Sequence, residues 1–549
     1  MGQRVLIVGG VAGGASCAAR LRRLDEHADI QVFDRGPFVS FANCGLPYYV
    51  GDVIADERKL IVASAELFRE RFNIAVHTQH EVLAIDRQAQ TITVRDLVHG
   101  RERCERYDAL VLAPGSVAVR PPVPGIDLPG IFQVRTIPDS RRLRQWIAER
   151  QARSAVVVGG GFIGLEMVEN LAHRGLTVTV IEKARQLMPP LDPEMAEPVR
   201  ARLEQHGVRV LLEQGVAGFA LDGERLAVRT ERGECVTADL VVLALGVRPD
   251  TALARAAGLA IGDSGGIRVD EQMRTSDPRI WAVGDAVESL DVVTGLRLVL
   301  PLAGPANRQG RVAAESIAGR PTHFRGVQGT SVCGVFGLTI AATGASEKQL
   351  QRAGIGDYRT VYLHPGHHVS YYPGAKPIHM KVLYRASDGR VLGAQAVGEE
   401  GVEKRIDVIA MAIQLGGTVH DLAESELCYA PQYGAAKDPV NLAGFIAENQ
   451  RSGDAPLADW SRLADYAVLD VREPAEVARG TLPQALHIPL HELRRRHGEL
   501  PTGRPLAVLC AVGQRAYYAV RLLRQLGYDA RLLSGGWRTA EARRGAGLL

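Results

Sequence analysis

Two stretches of this sequence are near-copies of one another, and they dictate much of what the chain can become. Arg4-Val-Leu-Ile-Val-Gly-Gly-Val-Ala-Gly-Gly14 and Ala155-Val-Val-Val-Gly-Gly-Gly-Phe-Ile-Gly164 each run from a β-branched segment through a glycine cluster into a helix-like stretch. The first closes on Asp34, 20 residues past Gly14, and the second on Glu182, 18 residues past Gly164. A strand, glycine turn, helix and strand ending in an acid is a nucleotide-binding pattern. Gly159, Gly161 and Gly164 match G-x-G-x-x-G throughout: one glycine for the tight turn, one for close approach of a pyrophosphate, one for helix packing. The first copy keeps Gly9 and Gly14 but places Val11 in the middle, so by itself it fits a ligand-free turn equally well.

The repeats start about 150 residues apart, one domain length, and 549 residues allow three or four domains. Short strand-like runs follow each unit, at Leu110–Gly115, Leu240–Gly246 and Ile280–Asp285. From about Thr330 the pattern turns α+β, with strands at Ile378–Leu383 and Val391–Val397 and a helix at Val402–Leu415. Gln450–Pro456 has linker composition, and another α/β unit follows. The expected division is 1–115 with 246–325, 116–245, 326–449, a linker at 450–459, and 460–549.

With 65 Lys plus Arg against 62 Asp plus Glu, nothing favours nucleic acid or a membrane surface as partner. No run of 18 apolar residues exists, and the strand-like run at Val5–Val8 leaves no room for a signal peptide. The seven cysteines are scattered, odd in number and never paired as C-x-x-C. That argues against a disulfide scaffold and a metal site, and for the reducing cytoplasm.

The twin units, together with Trp281-Ala-Val-Gly-Asp285, resemble the two-dinucleotide flavoprotein disulfide reductases over residues 1 to about 445. The resemblance implies an α/β protein with two Rossmann-like domains and an α+β dimerisation domain. FAD would lie on Gly9, Gly10, Gly13, Gly14, Asp34, Arg35, Pro114, Gly115, Gly284, Asp285 and Ala303. NADH or NADPH would lie on Gly159, Gly161, Gly164 and Glu182. In the dithiol branch a second cysteine follows the first by five positions; here Cys44 is followed by Tyr49, which leaves a single redox thiol. A thiol near a helix N-terminus and a flavin is expected to have a depressed pKa.

Ser40-Phe-Ala-Asn-Cys-Gly-Leu-Pro-Tyr-Tyr49 is similar to the active-site stretch of coenzyme A disulfide reductases, as are Pro301–Arg308, Tyr371–Lys376, Leu427–Pro431 and Lys437–Pro439. This implies coenzyme A contacts at Ser16, Arg20, Arg23, Ser40, Asn43, Arg71, Asn307, Arg308 and Lys437. Arg20 and Arg23 lie one helical turn apart and could share a phosphate. It also implies a homodimer with Tyr371 and Tyr429 in the catalytic site, Tyr429 near the flavin of the partner subunit. Cys333 and Cys428 are read as structural.

Beyond residue 460, Val468–Pro474, His487-Ile-Pro489, Cys510-Ala-Val-Gly-Gln-Arg515 and Gly535-Gly-Trp537 resemble rhodanese sulfurtransferases. A six-residue loop opening a helix cradles an anion on its backbone N–H groups. Cys510 would carry sulfane sulfur there, and Arg515 would add positive charge. The combined expectation is an FAD- and NAD(P)H-dependent reductase of CoA persulfide or polysulfide. Reduction of CoA disulfide, oxygen reduction as an NADH oxidase, and a non-enzymatic redox sensor with a docking rhodanese are the alternatives.

Overall fold

The computed structural model describes residues 2–549. It resolves into two compact units, residues 2–183 with 214–327 and residues 184–213 with 328–549. The α/β expectation holds.

In the first unit, strand β1 (Arg4–Val8) leads into helix α1 (Ala12–Arg22) and strand β2 (Asp29–Asp34). Strands Ile280–Ala282, Ala109–Leu112, β1, β2 and Ala75–Thr78 pair in that order, all parallel. Val5, Leu6 and Ile7 are fully buried, as strands covered on both faces require. The second copy builds the same arrangement: Thr177–Ile181, Ser154–Val158, Leu240–Leu243 and Ile131–Phe132 pair in parallel, with helix Phe162–His173 after the glycine loop.

The second unit holds a five-stranded antiparallel sheet, in the order Ser331–Val335, Leu338–Gly344, Val391–Gly398, Ile378–Arg385, Tyr358–Leu363. Helix Val402–Leu415 covers it, its Ile406, Ile409 and Ile413 buried. A parallel four-stranded sheet follows, in the order Leu486–His487, Ala467–Asp470, Leu506–Leu509, Ala530–Leu532. Segment 184–213, expected inside the second nucleotide domain, clusters with this unit. Its Asp192 and Glu194 meet Glu347 around the fully buried Lys381, whose Nζ lies 2.8 Å from Asp192 and 2.6 Å from Glu194. The lysine is the cation of that acidic group, and their mutual charge compensation permits its burial.

The expected flexible linker is packed. Ala455 and Ala458 are buried, and Leu457 forms an isolated parallel bridge to Leu532 at the edge of the sheet. The Ala458 N–H donates to Leu532 O at 2.9 Å. The Ser-Gly-Asp composition reads as flexible, yet the small apolar residues after it find a sheet edge. The C-terminal sheet is further held to the antiparallel one: the Tyr362 N–H donates to Ser534 Oγ at 3.3 Å, and His364 Nε2 lies 2.9 Å from Thr539 Oγ1.

Candidate active sites

Cys44 sits in a short turn, Asn43–Gly45, that feeds helix α2 (Leu46–Val50). Ser40 adopts a left-handed φ of 46°, and its N–H donates to Gly10 O at 2.7 Å, which pins this segment to the first glycine loop. Tyr49 is buried, with the Arg144 guanidinium 4.2 Å over its ring. Its hydroxyl bonds Glu57 at 3.1 Å. The position of a second cysteine in dithiol relatives is thus an anchoring point for α2. All seven cysteines are free thiols. Cys333 is buried as a structural residue would be, whereas Cys428 is exposed.

Cys44 is exposed as a residue, but protein atoms crowd its sulfur. The expected depression of its pKa is not what the chain's own groups produce. Partial burial, followed by the carboxylates of Glu166 and Asp285, raises the thiol; Arg135 opposes them in part. A five-residue α2 offers too small a dipole to win. Glu166, in helix Phe162–His173, is itself pushed up to about 7 by burial, and accepts from the Tyr48 hydroxyl at 3.4 Å. Sequence reading passed over Glu166 and Arg135, although Glu166 stands two residues past Gly164. Glu166→Gln removes a charge that opposes the thiolate. Cys44 in that variant is expected to react with iodoacetamide severalfold faster at pH 7.5; an unchanged or slower rate contradicts this electrostatic reading.

The glycine loops have the shape of nucleotide cradles. Gly9 has φ +94°, and a Cβ there would stand 2.1 Å from Ala113 O; at Gly14 it would stand 1.9 Å from Gly9 O. Gly159 and Gly164 repeat both restraints, at 2.3 Å from Ala244 O and 2.0 Å from Gly159 O. Gly161 differs: its φ is −85°, and a Cβ would meet nothing within 4 Å. The fold does not demand glycine there, so the free space fits a dinucleotide pyrophosphate. In both loops the closing acid braces the turn: Gly10 N–H donates to Asp34 at 2.8 Å, and Gly160 N–H to Glu182 at 2.7 Å. Burial raises Asp34 despite the N–H bonds of Gly10 and Gly36.

Around the first cradle, Gly13 is buried in α1, and Pro114 and Gly115 (φ +72°) follow strand Ala109–Leu112. The Gly284 N–H is held by Gln309 at 2.7 Å. Asp285 accepts from Ser116 Oγ at 2.8 Å, with Arg135 at 3.5 Å. Arg35 pairs with Asp250 at 3.1 Å, and Ala303 opens helix Ala303–Ile317.

The expected coenzyme A residues divide. Ser16 donates to Asn307 at 2.5 Å, which joins two of them. Asn43 keeps a buried Oδ1 with no hydrogen-bond partner, an acceptor in want of a donor beside Cys44. Arg23, Arg71 and Lys437 are exposed. Arg308 lies 5.4 Å over the Phe324 ring. Arg20 pairs with Glu315 at 2.6 Å, so the expected sharing of a phosphate with Arg23 would require breaking that bond. In the second unit the Tyr371 and Tyr429 hydroxyls are 2.6 Å apart, both exposed.

The second cysteine site opens helix Gln514–Gln525 after strand Leu506–Leu509. Cys510 is buried, and its Sγ accepts from the Gly513 N–H at 3.1 Å. Cys510 O accepts from the Trp537 N–H at 2.7 Å, and a Cβ on Gly536 would stand 2.2 Å from it. Gly535-Gly-Trp537 therefore braces the loop from behind. Arg515 does not stand as a free cation: both its terminal nitrogens bond the Glu476 carboxylate at 2.7 Å.

Comparison with known proteins bears on both sites. Residues 3–310 match the pyridine nucleotide-disulphide oxidoreductase family, residues 330–438 its dimerisation domain, and residues 455–542 the rhodanese-like domain. The coenzyme A disulfide reductase of Staphylococcus epidermidis is 35% identical over 446 residues, 81% of this chain and all of that protein. The structure of reduced CoADR-RHD from Bacillus anthracis is 43% identical with a TM-score of 0.96, over 99% of this chain and 98% of that one. A NAD-dependent persulfide reductase from A. fulgidus is 38% identical with a TM-score of 0.91, over 98% and 99%. No helix among the described residues is long and apolar enough to cross a membrane. With its paired cradles, a lone thiol at Cys44 with no cysteine at position 49, and a C-terminal cysteine loop, the chain belongs to the pyridine nucleotide-disulphide oxidoreductase family, whose members use FAD and NAD(P)H, and it carries a rhodanese-like domain besides.

Proposed function

We propose that the chain reduces sulfane sulfur carried on coenzyme A, and that CoA disulfide is its second substrate. The supporting observation is the presence in one chain of an exposed Cys44 with no second cysteine at position 49 and a backbone-cradled Cys510. A reductase of CoA disulfide alone has no use for a sulfur-accepting loop. The same site in a sensor would need no second cysteine. Similarity to both coenzyme A disulfide reductase and a persulfide reductase suits this ranking.

In this reading Cys44 thiolate attacks the CoA-side sulfur of CoA–S–SH. A Cys44–S–S–CoA bond forms, the S–S bond of the persulfide breaks, and hydrosulfide leaves with its electron pair. Bound FAD supplies the chemistry of passing two electrons from NAD(P)H to that mixed disulfide. Gly161 and Glu182 hold the nicotinamide dinucleotide, and Gly9, Gly14 and Asp285 the flavin one. Glu166, with a pKa near neutrality, holds the proton given up by Cys44. Asn43, Ser16 and Asn307 orient coenzyme A, and Tyr371 with Tyr429 serves the departing CoA thiolate in a homodimer. The enzyme would work in the reducing cytoplasm, which suits seven free thiols.

NADH is the expected coenzyme. Glu182 bonds a free ribose 2′-hydroxyl and repels a 2′-phosphate. The nearby cations are already engaged: Lys183 pairs with Glu231 at 3.0 Å, and Arg185 with Glu213 at 3.4 Å. Steady-state comparison should give NADH the higher kcat/KM by about tenfold, roughly 1.4 kcal/mol. A tenfold advantage for NADPH would contradict the assignment of Glu182. For the substrate, NADH oxidation is to be compared across CoA persulfide, polysulfide and CoA disulfide. The proposal expects the first two to be faster; exclusive use of CoA disulfide would refute it.

A further inference from the structure

The Cys510 loop contains one cation, Arg515, and a carboxylate takes up its charge. Arg515 is bound through both terminal nitrogens to Glu476, at 2.7 Å each. Arg472, whose guanidinium lies 4.7 Å over the ring of Trp537 behind the loop, is matched by Asp470 at 2.7 Å. Glu476 does not depend on Arg515 alone for its place. It is the third residue of a capping box, and its carboxylate accepts from the Glu473 N–H at 3.0 Å. Arg515 holds the Glu476 carboxyl down to about 2, so the pair stays ionised through the neutral range. Arg515 also lies close enough to feel the charge of the Cys510 sulfur. With Cys510 as thiolate, the three groups sum to one negative charge.

Given the proposal that Cys510 accepts sulfane sulfur, we infer that Glu476 sets the class of sulfur donor: by cancelling the Arg515 charge it favours uncharged or singly charged persulfides and polysulfides over dianionic thiosulfate. With a persulfide, Cys510 thiolate attacks the outer sulfur of R–S–SH. The Cys510–S bond forms, the donor S–S bond breaks, and its electron pair leaves on R–S⁻ while the proton stays with the transferred sulfur. With thiosulfate the same attack expels sulfite, and three negative charges must first meet in a partly desolvated loop. Such an encounter needs an uncompensated cation, and Glu476 removes it. Glu476 is in this sense a specificity-determining residue that acts through Arg515.

The test uses the full-length holoenzyme without NAD(P)H, so that the reductase site stays idle. Persulfide formation is followed as a one-sulfur mass gain mapped to Cys510, with thiosulfate and with cysteine persulfide, at most singly charged, as donors. The wild-type protein is expected to react faster with cysteine persulfide. Glu476→Gln should raise the ratio of thiosulfate to persulfide rate constants at least tenfold. That gain should shrink as salt rises from about 0.02 to 0.5 M, and should vanish when Arg515→Gln is added. A merely structural role would not produce the salt dependence. An unchanged ratio, an equal loss with both donors, or a gain insensitive to salt overturns the inference. The wild-type comparison decides independently of how any variant folds. Thiosulfate used as fast as persulfide overturns the selectivity while Cys510 remains a sulfur acceptor; reaction with neither donor overturns the sulfur-accepting role as well.

Discussion

Cys44→Ser is expected to bind FAD normally, to let NADH bleach the flavin, and to lose at least about 1,000-fold in turnover with every sulfur substrate. The two halves of this result separate because different residues serve them. The cradles rest on backbone restraints at Gly9, Gly14, Gly159 and Gly164, none of which involves the cysteine. The Cys44 side chain lies in a turn held from its flanks, by Ser40 on Gly10 and by Tyr49 under Arg144, so a hydroxyl in place of the thiol disturbs neither. A serine oxygen cannot form the mixed disulfide, and no other cysteine stands at the dithiol position. Flavin absorbance after NADH addition and NADH consumption with CoA persulfide measure the two halves. Substantial residual turnover would mean that sulfur is reduced without Cys44.

Cys510→Ala should abolish persulfide formation at the C-terminal site and leave reduction of preformed CoA disulfide within about twofold of wild type. Reduction of sulfur delivered by a bulky donor should fall between these limits. Cys510 is buried in its own core, and its loop is braced by Gly536 and Trp537, so alanine removes the sulfur and little else. Truncation after Glu448 is a poorer test than its linker composition promises. Residues 455–458 form part of the fold, and the buried Tyr362 and half-buried His364 of the antiparallel sheet bond Ser534 and Thr539. Removing the domain would strip buried apolar and polar surface and destabilise what remains. An equal loss of CoA disulfide reduction in Cys510→Ala would mean that electrons pass through Cys510.

The twin nucleotide units were legible because their determinants are local. A β-branched run, a glycine that tolerates φ near +100° and an acid at the next strand end all fall within about 30 residues. Cys44 was legible for the same reason, from its neighbours and the tyrosine at position 49. What sequence did not show depends on partners brought together by folding. Glu166 matters because helix Phe162–His173 packs against α2, 118 residues away in sequence from Tyr48. Arg515 reads as a free cation until Glu476, 39 residues earlier, is seen to bind it. The pKa of Cys44 went the other way from expectation because partial burial, and after it the carboxylates of Glu166 and Asp285, outweigh a short helix. The Lys381 hub is likewise invisible, since its acids come from positions 192, 194 and 347.

The most direct test of sulfane-sulfur reduction is stoichiometry under anaerobic conditions with CoA persulfide as the sole acceptor. NADH + H⁺ + CoA–S–SH gives NAD⁺, CoA–SH and H₂S, so the account predicts one sulfide and one CoA thiol for each NADH consumed. NADH oxidation that stops when oxygen is removed, or that proceeds without release of sulfide, would contradict it.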